Sequence, residues 1–282
     1  MILDTIAESS RIRVAEAKKK LPLEELKSIL YDGAGVRSFN NRIAFAFERT
    51  LRDYQLASLK ETTLDQQESV AKIAFICEVK KASPSKGIIT EDFPYLEIAK
   101  DYQKAGADAI SVLTEPEFFK GDNKYLTEIS DLVRIPVLRK DFTIDEYQIY
   151  EAKAIGADAV LLICALLDTE TLHNYLALCD ELGLSALVEA HTEEEILSAI
   201  RAGARIIGVN NRNLQTFEVD LNTSVRLKGL VPKHIIFVAE SGIQTAEDIN
   251  ILRDAGVNAV LVGETLMRNP NKKAIISELR GY

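Results

Sequence analysis

What this sequence lacks narrows its function before any motif is read. It holds no tryptophan in 282 residues, so the protein has no indole chromophore of its own. Its three cysteines, Cys77, Cys164 and Cys179, fall at no spacing that suits a disulfide framework or a zinc site. Cys77 and Cys164 sit in apolar runs and read as small buried fillers, which makes a reducing cytoplasm the expected compartment. The three histidines, His173, His191 and His234, are scattered, with no HExxH motif or Cys/His cluster. No metal is therefore expected. No apolar run approaches the ~20 residues a membrane span needs. Met1–Lys20 is charged along its length, unlike a signal peptide. The net charge of −9 disfavours a nucleic-acid partner. With no Gly-rich dinucleotide fingerprint after any strand-like run, no nucleotide or flavin cofactor is expected. The chemistry left open is acid–base.

Against these absences stands a repeat. Four glycines, Gly106, Gly156, Gly203 and Gly256, each close an amphipathic stretch and precede an apolar run: AISVL, AVLLI, IIGV and AVLV. A glycine at that place suits the left-handed residue that ends many helices. The apolar runs are too continuous for half-exposed strands and suit parallel strands covered on both faces. The glycines are spaced by 50, 47 and 53 residues, about two βα units of ~30 residues or fewer each. The intervening units supply Ile73–Glu78, Pro136–Phe142, Ser185–His191 and Ile235–Ser241, making eight strands. Helical patterns alternate with them at Tyr95–Lys104, Tyr125–Val133, Asp145–Ala154, Thr169–Leu182, Glu193–Ala202, Leu221–Leu230, Thr245–Asp254 and Pro270–Leu279. Eight alternating units in roughly 210 residues predict an α/β fold, a (β/α)8 barrel. A doubly wound open sheet is the alternative.

The whole chain, 1–282, is expected to be a single barrel domain, with a helical extension over 1–72 and the barrel over 73–282. In the extension, Asp4–Lys20 reads as a helix capped near Asp4, with Ile6, Ile12 and Val14 on its apolar stripe. Pro22 ends it. A short helix at Leu23–Leu30, a loop at Gly33 and Gly35, and an amphipathic stretch at Ile43–Leu59 follow. The extension is expected to cap the barrel or border its mouth.

Barrel enzymes carry their chemistry at the C-terminal ends of the strands. The first strand runs into EVKKASPSKG, residues 78–87, where alternation puts Glu78 and Lys80 on one face. Ser83 follows. The second strand ends before Phe118 and Phe119. The third places Leu138, Lys140 and Phe142 on one face, the fifth Leu187 and Glu189, and the sixth Gly208, Asn210 and Arg212. The seventh ends at Glu240, Ser241 and Gly242, and the eighth at Gly263, Glu264 and Thr265. A lone lysine at a strand end is usually a solvated rim residue. Two lysines, an arginine, two glutamates and an asparagine at one end of the strands point instead to an anion-holding site. The glycines after the last two strands suit a phosphate cradle, because a backbone without Cβ approaches a ligand closely. His191, on the face of Glu189, lies near the mouth.

These segments carry a resemblance. EVKKASPSKG (78–87), LRKDFTIDEYQIYEAKAIGADAVLL (138–162), LVEAHTEEE (187–195), GVNNRNLQTFEVDL (208–221), AESGI (239–243) and LVGETLM (261–267) make the chain similar to the indole-3-glycerol-phosphate synthases of tryptophan biosynthesis. The opening ILDTIAESSRIRVAEAKK is similar too. The stretch between Phe39 and Ile73 is longer than the family's usual link, and Thr265 stands where the family has serine. The resemblance implies a (β/α)8 barrel that needs no cofactor. Its small-molecule phosphorylated substrate would be 1-(2-carboxyphenylamino)-1-deoxyribulose 5-phosphate. It implies Lys140 as general acid, Glu189 as the group assisting dehydration, and Lys80 as a substrate-binding lysine. Glu78 and Asn210 would orient lysines and hydroxyls. Arg212 and Ser83 would hold the carboxylate, with Glu240 also against the substrate. Ser241, Gly242, Gly263 and Glu264 would frame the phosphate. Phe118, Phe119 and Phe142 would wall the aromatic ring. Lys80 is expected to depress the pKa of Lys140, and the glutamate among these cations is expected to be ionised. Contacts with other enzymes of the pathway are left open. Two other readings stand beside this one: a phosphosugar isomerase barrel such as phosphoribosylanthranilate isomerase, and a barrel that binds a phosphometabolite without turnover.

Overall fold

The computed structural model describes residues 2–31, 43–61, 72–213 and 215–281. Eight parallel strands close into a barrel: β1 (Ala74–Val79), β4 (Ala109–Leu113), β5 (Val137–Lys140), β6 (Ala159–Ile163), β7 (Ser185–Ala190), β8 (Ile206–Asn210), β9 (Ile236–Glu240) and β10 (Ala259–Val262). β1 pairs with both β4 and β10, so there is no open sheet edge and the doubly wound alternative is excluded. β2 (Ala82–Ser83) and β3 (Gly87–Ile88) form a small antiparallel hairpin after β1 that the apolar pattern does not announce. The outer helices are α4 (Tyr95–Lys104), α5 (Asn123–Leu132), α6 (Glu146–Ala154), α7 (Thr169–Glu181), α8 (Glu193–Ala202), α9 (Asn222–Lys228), α10 (Ala246–Asp254) and α12 (Lys272–Arg280).

Local chemistry sets the boundaries. Asp122, Asp145, Asp168, Thr192, Thr245 and Asn271 each accept a backbone N–H at a helix start, satisfying donors the helix leaves free. α5 therefore begins at Asn123, ahead of the expected Tyr125, and α12 begins after Asn271 instead of at Pro270. A separate short helix, α11 (Glu264–Arg268), stands between β10 and α12. The four repeat glycines all take positive φ, from 80° to 95°.

Side chains that alternate along the strands divide the apolar core into two layers. One lies between strands and helices. The other fills the barrel and includes Ile76, Leu138, Leu161, Leu187, Val238 and Leu261. At its lower end Ala74, Ala109, Ala159 and Ala259 occupy strand starts. Such small residues leave room at the barrel's base, and α3 (Ala46–Glu61) fills it with Phe47 and Leu51, both fully buried in the inner layer. Polar contacts seat α3 there. Glu48 N–H donates to Ser185 Oγ at 3.1 Å, and Gln55 donates to the Lys233 and Ile235 carbonyls at 2.9 and 3.3 Å.

At the opposite end, α1 (Ile2–Lys20) brings Ile2, Leu3 and Ile6 to the mouth. The extension thus serves both ends of the barrel. α1 starts before Asp4, which sits in its first turn, where a carboxylate favours the helix dipole. Ile6 and Val14 are buried as expected, but Ile12 is 61% exposed. Six residues turn a helix through about 600°, which carries Ile12 away from the face of Ile6. α2 (Leu23–Tyr31) follows Pro22. The loop expected at Gly33 and Gly35, and part of the stretch between Phe39 and Ile73, lie outside the described residues.

If Phe47 plugs the barrel base, Phe47→Ala leaves a cavity among residues that cannot collapse onto it. Urea unfolding should then show a loss of about 3–5 kcal/mol, with little change in KM because the mouth is at the other end.

Candidate active site

The strand register brings chemistry to one level. Lys140 pairs with Leu113, Glu189 with Ile163, Asn210 with Glu240, and Glu78 with Ser111. Because inward and outward side chains alternate, the inward charged groups converge at the floor of a cavity of about 830 Å³. Lys140 Nζ donates to Glu189 Oε2 at 2.8 Å and to Glu240 Oε2 at 2.9 Å. Lys80 pairs with Glu78. Two glycines make this crowding sterically feasible. A Cβ on Gly208 would strike Glu240 Oε1, and one on Gly263 would strike Glu78 Oε1 and meet Lys80 Nζ at 3.0 Å.

Three carboxylates here face two ammonium groups. Burial alone would lower the pKa of Lys140, but Glu189, Glu240 and Glu78 outweigh it and raise the pKa. This corrects the expectation that Lys80 would depress it: the nearest charges to Lys140 are carboxylates. Glu189 is buried, which opposes ionisation, yet Lys140, His191 and hydrogen bonds from Lys140 and Asn210 bring it down to about 2. Glu240 moves the other way, up to about 7. Burial dominates there, and Glu189 and Glu78 add to it against the pull of Lys140. Its Oε1 is buried with no hydrogen-bond partner among the described residues. Glu240 thus holds a proton more tightly than Glu189 does.

The other expected residues surround this cluster. Ser83 reaches the cavity from the hairpin, and Arg212 lines it while donating to the Phe217 carbonyl at 3.2 Å. Asn210 Oδ1 accepts the Arg212 N–H at 3.1 Å, which ties the loop after β8 to the floor. Phe119 and Phe142 face each other with ring centroids 5.9 Å apart. Phe118, unlike Phe119, stands outside the cavity lining. Buried Glu115 fixes the loop by accepting the N–H groups of Glu117, Phe118 and Phe119 at 2.7 to 3.0 Å.

Ser241, Gly242, Gly263 and Glu264 line the side of the cavity after β9 and β10. Ser241 has φ of 67°, a left-handed conformation costly for a residue with a Cβ and one that collects at functional sites. The Glu264 carboxylate lies below the usual range: burial opposes this, but Arg268 and Lys86 prevail. It sits 3.0 Å from Arg268 and 3.7 Å from Lys86. These two cations also line the cavity, and neither was expected from the strand ends. Lys86 does stand within EVKKASPSKG, and Arg268 lies one helical turn beyond Glu264. Thr265 Oγ1 donates to the Ile243 carbonyl at 2.6 Å.

Behind the floor, Asp141 joins α1 to the strand that carries Lys140. It accepts two bonds from Arg13, at 2.6 and 2.9 Å, and others from Thr114 Oγ1 at 2.6 Å and Arg139 at 3.4 Å. Burial would raise its pKa, but Arg13 and Arg139 lower it.

A family model described as indole-3-glycerol phosphate synthase matches residues 47–279. Among curated proteins, the indole-3-glycerol phosphate synthase of Ruminiclostridium cellulolyticum is 57% identical, covering 100% of this chain and 99% of its own. That of Lachnoclostridium phytofermentans is 50% identical, covering 99% of each. Among solved structures, a 3-hexulose-6-phosphate synthase from Salmonella typhimurium shares the fold with a TM-score of 0.61 and 12% identity, over 74% of this chain and 97% of that one.

The protonated Glu240 yields a stability prediction. An unfolded glutamate titrates near ~4.3, and Glu240 in the fold titrates at about 7. The folded state binds the extra proton between those values, so its stability falls as pH rises from ~4.3 to about 7 and levels off above. Glu240→Gln, which mimics the neutral acid, should remove that fall. Its Tm should exceed the wild type's at pH 8 and match it only below about pH 4, where the unfolded glutamate is protonated too.

Proposed function

The chain belongs to the indole-3-glycerol phosphate synthase family, and from that membership we propose how its barrel mouth performs the family's reaction. The protein is a carboxy-lyase of tryptophan biosynthesis. It converts 1-(2-carboxyphenylamino)-1-deoxyribulose 5-phosphate to indole-3-glycerol phosphate by ring closure, decarboxylation and dehydration. The division of labour among its residues is our reading. The observation that carries it is the Lys140 ammonium held between Glu189 and Glu240 on the cavity floor.

Ring closure turns a ketone carbon into an alkoxide, so negative charge grows on one oxygen. A fixed ammonium beside that oxygen stabilises it without reorganisation. Lys140 fills this role, and its raised pKa does not disqualify it as an acid. An alkoxide resembles hydroxide in basicity, and water's pKa is ~15.7, so the proton still transfers downhill. Loss of CO2 then restores aromaticity to the benzene ring, with the cyclised intermediate accepting the electrons. Glu189, ionised and hydrogen-bonded by Lys140 and Asn210, takes the carbon-bound proton lost in the dehydration and passes it to the departing hydroxyl, which leaves as water. Lys80, oriented by Glu78, contacts the substrate from the end of β1. Arg212 and Ser83 hold the carboxylate, and Phe119 and Phe142 wall the aromatic ring. Glu240 borders the substrate and shares Lys140 with Glu189. Ser241, Gly242, Gly263 and Glu264 frame the phosphate, while Lys86 and Arg268 supply positive charge beside them. We further propose that the chain works as one unit, its N-terminal helices completing the barrel at both ends. No helix among the described residues is long and apolar enough to cross a membrane. The free cysteines, Cys77 and Cys179 buried among them, suit the reducing cytoplasm.

The test is direct because the protein contains no tryptophan. Adding the carboxyphenylamino-deoxyribulose phosphate to the pure protein should produce growing indole fluorescence. Lys140→Ala should cut turnover by at least roughly 100-fold while calorimetry still detects substrate binding. Wild-type kcat in that variant would remove Lys140 from the acid role. For Glu189→Gln, kcat should fall by about 100-fold or more, and KM should change far less. An effect confined to KM would make Glu189 a binding group.

A further inference from the structure

One ionisable neighbour of Glu189 has no task in this scheme. His191 lies two residues beyond Glu189, past the end of β7 and outside the cavity lining. Its ring is braced from behind. Nδ1 is 3.2 Å from Glu195 Oε2, and the same oxygen accepts the His191 backbone N–H at 2.7 Å. Glu195 is itself anchored in the first turn of α8, where its N–H donates to Thr192 Oγ1 at 3.2 Å. The other ring nitrogen faces the site. His191 Nε2 is 3.6 Å from Glu189 Oε1, is buried, and has no hydrogen-bond partner among the described residues. Lys140 occupies the opposite oxygen, Oε2.

An ionised carboxylate only accepts hydrogen bonds. A ring with a carboxylate at each nitrogen is satisfied at both only when both nitrogens carry hydrogen. A buried polar atom left unpaired is unfavourable, so a small approach of the ring to Oε1 is favoured. We propose that His191 is a positioning residue for Glu189: as an imidazolium braced by Glu195, it donates from Nε2 to Glu189 Oε1 and fixes the carboxylate against Lys140 and Asn210. This rests on the reading of Glu189 as the base of the dehydration.

The charges around the ring agree. Burial would lower the pKa of His191, but Glu195, Glu189 and, further off, Glu240 raise it. These groups come from α8, β7 and β9. From the end of β6, the thiol of Cys164 faces the same region, lying 3.6 Å from the Glu195 carbonyl. Burial pushes its pKa up to about 12, so it stays neutral. In return, charged His191 helps hold Glu189 ionised.

The experiment compares pH profiles of kcat for the full-length wild type, His191→Leu and His191→Gln. Outer residues that orient a reacting group typically contribute 10- to 100-fold. In His191→Leu, kcat should fall by roughly 10-fold with KM little changed. The acid limb of its profile should move to higher pH, because the cation that depresses the pKa of Glu189 is gone. His191→Gln keeps a donor but no charge. It should recover part of the lost kcat and still show the shifted limb. Folded variants with the wild-type limb, or with only KM altered, would overturn the proposal. A purely structural histidine would give that result. NMR titration of the His191 ring separates this from the role of Glu189. Its pKa should fall in Glu189→Gln if the two groups pair, and an unchanged titration would overturn the pairing. Wild-type kcat in Glu189→Gln, by contrast, would strike the assigned base while leaving the NMR result to report the contact.

Discussion

An ammonium held among carboxylates at the floor of the barrel organises the rest of this structure. Burying ions is costly, and only close opposite charges and hydrogen bonds offset the cost. Lys140 is held at that depth by Glu189 and Glu240, as Lys80 is by Glu78. The arrangement also demands space. Gly208 and Gly263 supply it, because a carboxylate of the cluster occupies the place of the missing Cβ. Glu189 and Glu240, both glutamates at the same level, differ in proton affinity because Lys140, His191 and Asn210 all favour the ionised Glu189, whereas Glu240 has Lys140 alone against burial and two other carboxylates.

The cluster holds its geometry because the frame beneath and above it is fixed. α3 plugs the base, so the inner apolar layer supporting the charged floor has no open end. α1 closes one side of the mouth and is pinned through Arg13 to Asp141, the residue after Lys140. Arg139, on the outer face of the same strand, bonds Asp141, the Gln148 carbonyl and Glu151. The two charge networks therefore stand on opposite faces of β5. One presents Lys140 to the cavity and the other ties the strand to its surroundings. Both are buried, so movement of the strand would disturb pairs in each.

Barrel closure and strand alternation have divided the labour of the mouth. The strand ends carry the acid–base groups, where the backbone is held on both sides. The loops carry the groups assigned to recognition: Ser83 on the hairpin, Arg212 after β8, and the glycines after β9 and β10. A strained Ser241 and a loop pinned by Glu115 show that these loops are held too, by local hydrogen bonding and by neighbouring side chains.

Much of this was legible in the chain itself. The Gly-terminated repeat located the strands because buried parallel strands are continuous apolar runs, and four of them begin at the residue that the repeat indicates. Period-two alternation placed Glu78 with Lys80 and Leu187 with Glu189, since strand geometry is local. The glycines of the last two strands, the acidic balance and the absence of metal-ligand spacing were equally local properties. Tertiary structure decided what depends on several strands at once. Sequence distance says nothing about Lys140 lying between Glu189 and Glu240, so the expected depression of its pKa by Lys80 was reversed. Nor did sequence mark Phe47 as a plug, because an amphipathic helix does not state what covers its apolar face. Phe118 and Phe119 are equivalent in sequence, and only the loop pinned by Glu115 turns one toward the cavity. The order of residues fixed the strands and the chemistry they carry, while closure of the barrel fixed which charges meet, because electrostatic partners are set by distance in space.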